Sequence, residues 1–329
     1  MAFRTSCNNR YLLPVIVAVA TLTVLSVIQT RGGTPLLLAE RLFSGGGWFQ
    51  VVLLAGYGFY ITGKIEQPEL SALWRRRIWI LFSLIFFSQL LLGLTVDSLF
   101  LMTGKLHVPV PALLVAGPVY RGEAGFMTIL FLSTIIITGP SWCSFLCYFG
   151  AFDATAAAFR GRPTAIKHLW YKKGSVLFIT IVIAIALRIA GVSPVVATLT
   201  AISAGVAGVA IMLIWSRRRG MMVHCLTWCP AGTVVNILRH VNPFSLTISK
   251  SCDGCMRCSA VCHYDALGSS DIERGKPGLT CTLCGDCVAV CGERSIGYKL
   301  FSLSPEKSRK VFLAIVLTVH TLFLGLARI

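Results

Sequence analysis

Seven apolar stretches punctuate the chain: Tyr11–Gln29, Gly47–Thr62, Ile78–Val96, Gly125–Trp142, Gly174–Ile189, Pro194–Trp215 and Val311–Ala327. Most approach the roughly 20 residues that cross a bilayer. Hydrocarbon offers the peptide group no water, so such a stretch must satisfy its own backbone as a helix. Charged residues keep to the ends, where Arg188, for example, can extend its guanidinium to the interface. Composition agrees, since only 13% of the residues are charged and the mean hydropathy is +0.76. The expected fold is an all-α polytopic membrane bundle of about six or seven transmembrane helices. The second and last stretches are short enough to lie in the interface instead.

The net charge of +17 does not point to nucleic acid, because the basic residues gather at the ends of apolar segments. The Lys64–Arg77 loop carries four Lys and Arg, Arg160–Lys173 carries five, and Arg217–Arg219 adds three, whereas Asp97–Glu123 has two. Excess positive charge marks the cytoplasmic side. This predicts a multi-pass protein of a prokaryotic cytoplasmic (inner) membrane, its N-terminus, basic loops and cysteine-rich region facing the cytoplasm. The first stretch resembles a signal peptide in charge and length, but no small-residue cleavage site follows "SVIQTRGG", so it is expected to be retained. Asp97–Glu123 is apolar but broken by Pro109, Pro111 and Pro118, which oppose a regular helix. It is expected to lie on the outer membrane face or dip into it.

Thirteen cysteines need a separate account. Eight form two C-x2-C-x2-C-x3-C runs: Cys252, Cys255, Cys258 and Cys262, then Cys281, Cys284, Cys287 and Cys291. Thiolates in this pattern hold cubane clusters, with three ligands from one run and the fourth from the other. One [4Fe–4S] cluster is then assigned Cys252, Cys255, Cys258 and Cys291, and a second Cys281, Cys284, Cys287 and Cys262. A zinc ribbon also uses C-x2-C pairs, but it needs pairs rather than triplets. These runs predict an inserted α+β bacterial-type 2[4Fe–4S] ferredoxin module. Both runs lack the proline that usually follows the last cysteine, having His263 and Gly292 there, which predicts more solvated clusters. The organisation expected is a membrane helical domain over 1–240, the module over 245–300, and a transmembrane or interfacial helix over 308–329.

Four more cysteines form C-x3-C pairs at the ends of apolar stretches, in "GPSWCSFLCYFGAF" and "GMMVHCLTWCPAGTV". Cys143 with Cys147 and Cys225 with Cys229 look like copies of one element. On a continuous helix, residues four apart share a face, so each pair can offer two sulfurs. Three readings stand together: a shared metal or further iron–sulfur centre, packing as small hydrophobes, or reactive thiols. His224 beside Cys225 is a candidate to tune or replace a ligand. His320 has no helical partner at haem spacing, and Cys7 is assigned no role.

Paired C-x3-C elements followed by two C-x2-C-x2-C-x3-C runs resemble the NapH-type membrane polyferredoxins, with related modules in NosR, CcoG and MauN proteins. The resemblance spans roughly Ile78 to Leu300. It departs from C-x3-C-P at Tyr148 but matches it at Pro230. It implies quinol oxidation, or electron transfer between the quinone pool and a partner such as a cytochrome, flavoprotein or reductase. Expected partners are thus membrane lipid, a quinone and other redox subunits. Quinone-site candidates are Asp97, His107, Arg121 and Glu123 at the outer ends of the third and fourth stretches. The alternative is a metal-handling or respiratory-complex assembly protein resembling CcoG, since C-x3-C pairs suit Cu(I). A NosR-like regulator fits less well, because no large extracytoplasmic flavin-binding domain is present.

Overall fold

The computed structural model describes residues 11–31, 35–101 and 108–326. In chain order the longer helices are α1 (Leu12–Arg31), α2 (Gly46–Ile65), α3 (Pro68–Thr95), α4 (Leu113–Arg121), α5 (Phe126–Thr138), α6 (Tyr148–Ala157), α7 (Leu169–Ile189), α8 (Pro194–Ile211) and α9 (Pro230–Leu238). Strand β1 (Phe244–Ile248), the single turns α10 (Arg257–Ala260) and α11 (Asp286–Ala289), strand β2 (Ile296–Leu300) and helix α12 (Pro305–Leu326) follow. Proline opens α3, α8, α9 and α12. A first helical residue has no intrahelical use for its N–H, so proline costs nothing there and presets the backbone angle.

A helix stands at each of the seven apolar stretches. Among the described residues, five segments are long and apolar enough to cross a membrane: Leu12–Arg31, Pro68–Thr95, Phe126–Ala157, Pro194–Arg219 and Pro305–Leu326. Of the other two, α2 is diluted by glycines and α7 opens on Lys172 and Lys173. Only 17% of the apolar window of Pro194–Arg219 is buried, which leaves Val195, Leu199, Val206 and Leu213 exposed, as suits a helix that could span a membrane. The proline-rich segment differs from expectation. It forms α4 just after Pro111, and Pro118 lies inside this nine-residue helix, where it removes one hydrogen bond.

The chain divides into two compact units, residues 1–107 with 302–329, and Val108–Phe301. In the first, α1 packs on α2 and α12. Leu25, Leu37, Val51 and Leu54 form its buried apolar centre. Thr21 Oγ1 meets Thr321 Oγ1 at 2.7 Å in the buried helix contact. His320, also buried, pairs through Nε2 with Tyr57 Oη at 3.1 Å. Arg309 donates to the Ile65 and Glu66 carbonyls, both at 2.8 Å, and so satisfies the end of α2.

In the second unit, β1 and β2 pair antiparallel, from Phe244 opposite Leu300 to Ile248 opposite Ile296. Phe244, Leu246 and Ile248 alternate inward, as do Ile296, Tyr298 and Leu300, which is the period-two pattern of a one-faced ribbon. Two strands are marginal alone. Here the buried face is covered by the cysteine-bearing loops, and Tyr298 Oη donates to Leu283 O at 2.9 Å.

Candidate metal centres

The two cysteine runs fold as copies of each other. Left-handed backbone occurs two residues after the first cysteine (Gly254, Leu283), four residues after it (Met256, Gly285), and three after the last cysteine (Asp265, Arg294). Such corners turn successive amide N–H groups inward, making a cradle suited to an anionic group. At the first two corners one copy has glycine and the other a side chain, so local preference in one run is imposed on its twin.

Cys262, Cys281, Cys284 and Cys287 line one cavity, together with Leu246, Tyr264 and Asp286. Burial pushes the Cys262 thiol up to about 12, against the opposing amides of Ala266 and Tyr264. Burial likewise raises Cys281 and holds Cys287 well above the ordinary thiol range, with Cys284, Cys281 and Cys262 adding to the Cys287 shift. Burial therefore favours the neutral thiol at Cys262, Cys281 and Cys287 when no metal is bound. Only a bound metal would keep them as thiolates. In the other set, Cys258 has Cys252 and Cys255 as electrostatic neighbours. Gly292, next to Cys291, lies beside Arg257, whose Nη1 is 3.9 Å from the site of an added Cβ. Ser295 N donates to Cys291 Sγ at 3.3 Å. Cys255 is exposed, so this set reaches the surface, whereas in the other Cys281 and Cys287 are buried and Cys262 and Cys284 half-buried.

The residues after the last cysteines have structural uses that the sequence does not announce. His263 donates through Nδ1 to Gly220 O at 2.7 Å, and its carbonyl accepts from Met222 N at 3.0 Å. This side chain anchors the Cys262 loop at the position where a proline usually follows the last cysteine.

The C-x3-C elements also match each other, though not as continuous helices. Cys143 lies in the single turn Trp142–Phe145, and Cys147 starts α6 as its N-cap. Cys225 lies in the wide turn His224–Trp228, and Cys229 caps α9. Each second cysteine donates its backbone N–H five residues back, Cys147 to Trp142 O at 2.9 Å and Cys229 to His224 O at 3.0 Å. The helix therefore breaks between the two sulfurs of each pair, and a shared helical face is not what aligns them. The break places Cys147 and Cys229 at the positive ends of new helices. Gly232 N donates to Cys229 Sγ at 3.3 Å. Tyr148 and Pro230 both occupy the first helical position, so the departure from C-x3-C-P leaves the turn intact.

All four of these cysteines fall within electrostatic reach of one another, and Lys173 joins them. Asp153 of α6 is fully buried and accepts the Cys225 amide at 2.9 Å, tying the first element to the second. His224 is buried against Phe149, rings 5.9 Å apart, with neither ring nitrogen hydrogen-bonded. Ser144 Oγ donates to Thr282 O at 3.1 Å, joining the residue after Cys143 to the residue after Cys281. Asn236 of α9 donates to Leu279 O at 3.1 Å beside the same loop. Among the described residues no three ligand-type side chains converge as ligands of a single metal ion would. Around one zinc at 2.3 Å, tetrahedral sulfurs stand about 3.8 Å apart. A cubane spreads them wider, because each sulfur binds its own iron.

Sequence reading missed Lys173 and Asp153. Lys173 counts as a basic loop residue in the chain, yet it is 1% exposed. Asp153 had a signal, a lone carboxylate inside apolar "FGAFDATAAAF". Of the quinone-site candidates, Asp97, Arg121 and Glu123 are among the described residues. Asp97 is exposed and accepts Leu99 N at 2.8 Å, capping a short turn. Arg121 and Glu123 are exposed at the end of α4, while His107 and Cys7 lie outside the described residues.

A family model described as a 4Fe-4S binding domain matches residues 122–166. The match covers Cys143 and Cys147 rather than the two longer runs, and it supports at least one iron–sulfur cluster in the protein. No curated protein and no solved structure matches the chain.

Proposed function

We propose that the chain is a membrane-bound iron–sulfur electron-transfer subunit working between the quinone pool and a partner redox protein. The cavity lined by Cys262, Cys281, Cys284 and Cys287 carries this reading most directly. It would hold one [4Fe–4S] cluster, and Cys252, Cys255, Cys258 and Cys291 would hold another. Cys143, Cys147, Cys225 and Cys229 are the proposed ligands of a third centre. When bound, such clusters supply one-electron storage, which lets a two-electron quinol be used in single steps.

The protein's own contribution is to order the three ligand sets. The membrane-edge quartet is joined to the Cys262 set by Ser144 and Thr282. The Cys262 and Cys255 sets share both cysteine runs, with Cys258 near Cys262 and Cys287 near Cys291 in sequence. Cys255 then offers a surface to a soluble or membrane partner. The cytoplasmic side of a prokaryotic inner membrane is the proposed location of this surface.

Anaerobic purification with iron, sulfide and copper counted per chain tests the reading. About twelve irons are expected for three cubanes. About eight irons with stoichiometric copper would favour the copper-handling alternative instead. Tightly bound zinc without sulfide would defeat both cluster assignments in the longer runs.

A further inference from the structure

Lys173 is a buried lysine without a carboxylate partner among the described residues. Among the described residues its one hydrogen bond is from Nζ to the Cys225 carbonyl, at 3.5 Å. Ion pairs such as Arg274–Asp271 and Lys310 with Glu66 and Glu306 lie elsewhere among the described residues. An ammonium taken out of water without a counter-charge is strongly disfavoured. Burial works against the charge of Lys173, and the groups that oppose this are Cys229, Cys143 and Cys225. The lysine thus points to an anionic occupant of the quartet, independently of the cysteine spacing.

We propose that Lys173 is a positioning residue that supplies the counter-charge of the centre held by Cys143, Cys147, Cys225 and Cys229, and so raises its reduction potential. This rests on the quartet holding an iron–sulfur centre, as proposed above. Four thiolates outweigh the charge of a cubane core, and reduction adds a further negative charge. A cation held beside the quartet therefore stabilises the reduced state more than the oxidised one. Geometry makes the effect local. Lys173 comes from α7, whereas the ligands come from the two turn elements, so the cation can be changed without touching a ligand.

The test uses the full chain in detergent, titrated anaerobically with spectroscopic readout of each centre. The Cys143→Ser/Cys147→Ser variant assigns the quartet signal. Lys173→Met should retain that signal with a lower midpoint potential, Lys173→Arg should stay near wild type, and the other two centres should not move. If Lys173→Met loses quartet iron while Lys173→Arg keeps it, the charge is still what the site requires. A retained centre with unchanged potential in Lys173→Met overturns the assignment of Lys173 alone, and so does equal loss of the centre in both lysine variants. If iron content and spectra are unchanged in Cys143→Ser/Cys147→Ser, the quartet reading falls and the role of Lys173 falls with it.

Discussion

Gly285 sits at φ +82°, and an added Cβ would stand 2.7 Å from Tyr298 Oη. The left-handed conformation alone costs a non-glycine residue roughly 1–2 kcal/mol. The tyrosine hydroxyl is also held in place by its bond to Leu283 O. Gly285→Ala should therefore destabilise the second unit by about 2–3 kcal/mol and speed iron loss from the Cys262 set. Gly254→Ala, whose Cβ would meet nothing within 4 Å, should cost only the conformational part. Thermal iron release compared across the two variants checks both. At this scale the cysteine spacings were legible, because ligand chemistry constrains residue type directly. The side chains forced into left-handed backbone at Met256 and Leu283 were not. Their conformation follows from the cradle, and the only hint was a glycine at the same offset in the opposite run. Lys173 was hidden for a related reason, since a lysine at a helix start ordinarily reads as a solvated topology signal.

Among elements, the paired turns around Cys143 and Cys225 decide how four sulfurs meet. Their duplication was visible in sequence, but the break between the sulfurs of each pair was not. Local hydrogen bonding chooses a bond five residues back over a continued α-helix, and a C-x3-C pattern allows either. Because Pro230 merely opens α9, Pro230→Ala should shift stability by no more than about 1 kcal/mol and leave quartet iron unchanged. Removing both sulfurs of a pair is different. Cys143→Ser/Cys147→Ser and Cys225→Ser/Cys229→Ser should abolish the same spectroscopic signal. Reduction of the remaining centres by dithionite should survive, while reduction by quinol should fail. Normal quinol-driven reduction in both double variants, with iron content unchanged, would leave these cysteines a packing role only.

Across the whole molecule, the apolar stretches located the helices well, because hydrocarbon leaves the backbone no alternative. The sequence did not disclose that α12 returns to pack on α1 and α2, since contacts such as Thr21 with Thr321 join residues about as far apart as the chain permits. Topology can be measured apart from chemistry. A reporter fused after Leu300 should behave as cytoplasmic and one after Pro111 as exported, following the basic loops. Export of the Leu300 fusion would move the whole electron route to the opposite face.

The contrast between exposed Cys255 and the more buried Cys262 set has a consequence for how the protein wears out. A surface that admits an electron partner also admits dioxygen and peroxide, which attack accessible sulfur and iron first. Brief, metered aeration should therefore bleach the set of Cys252, Cys255, Cys258 and Cys291 well before the other. Rapid-freeze spectra taken along such an exposure should show two separate decays, with the outer one first.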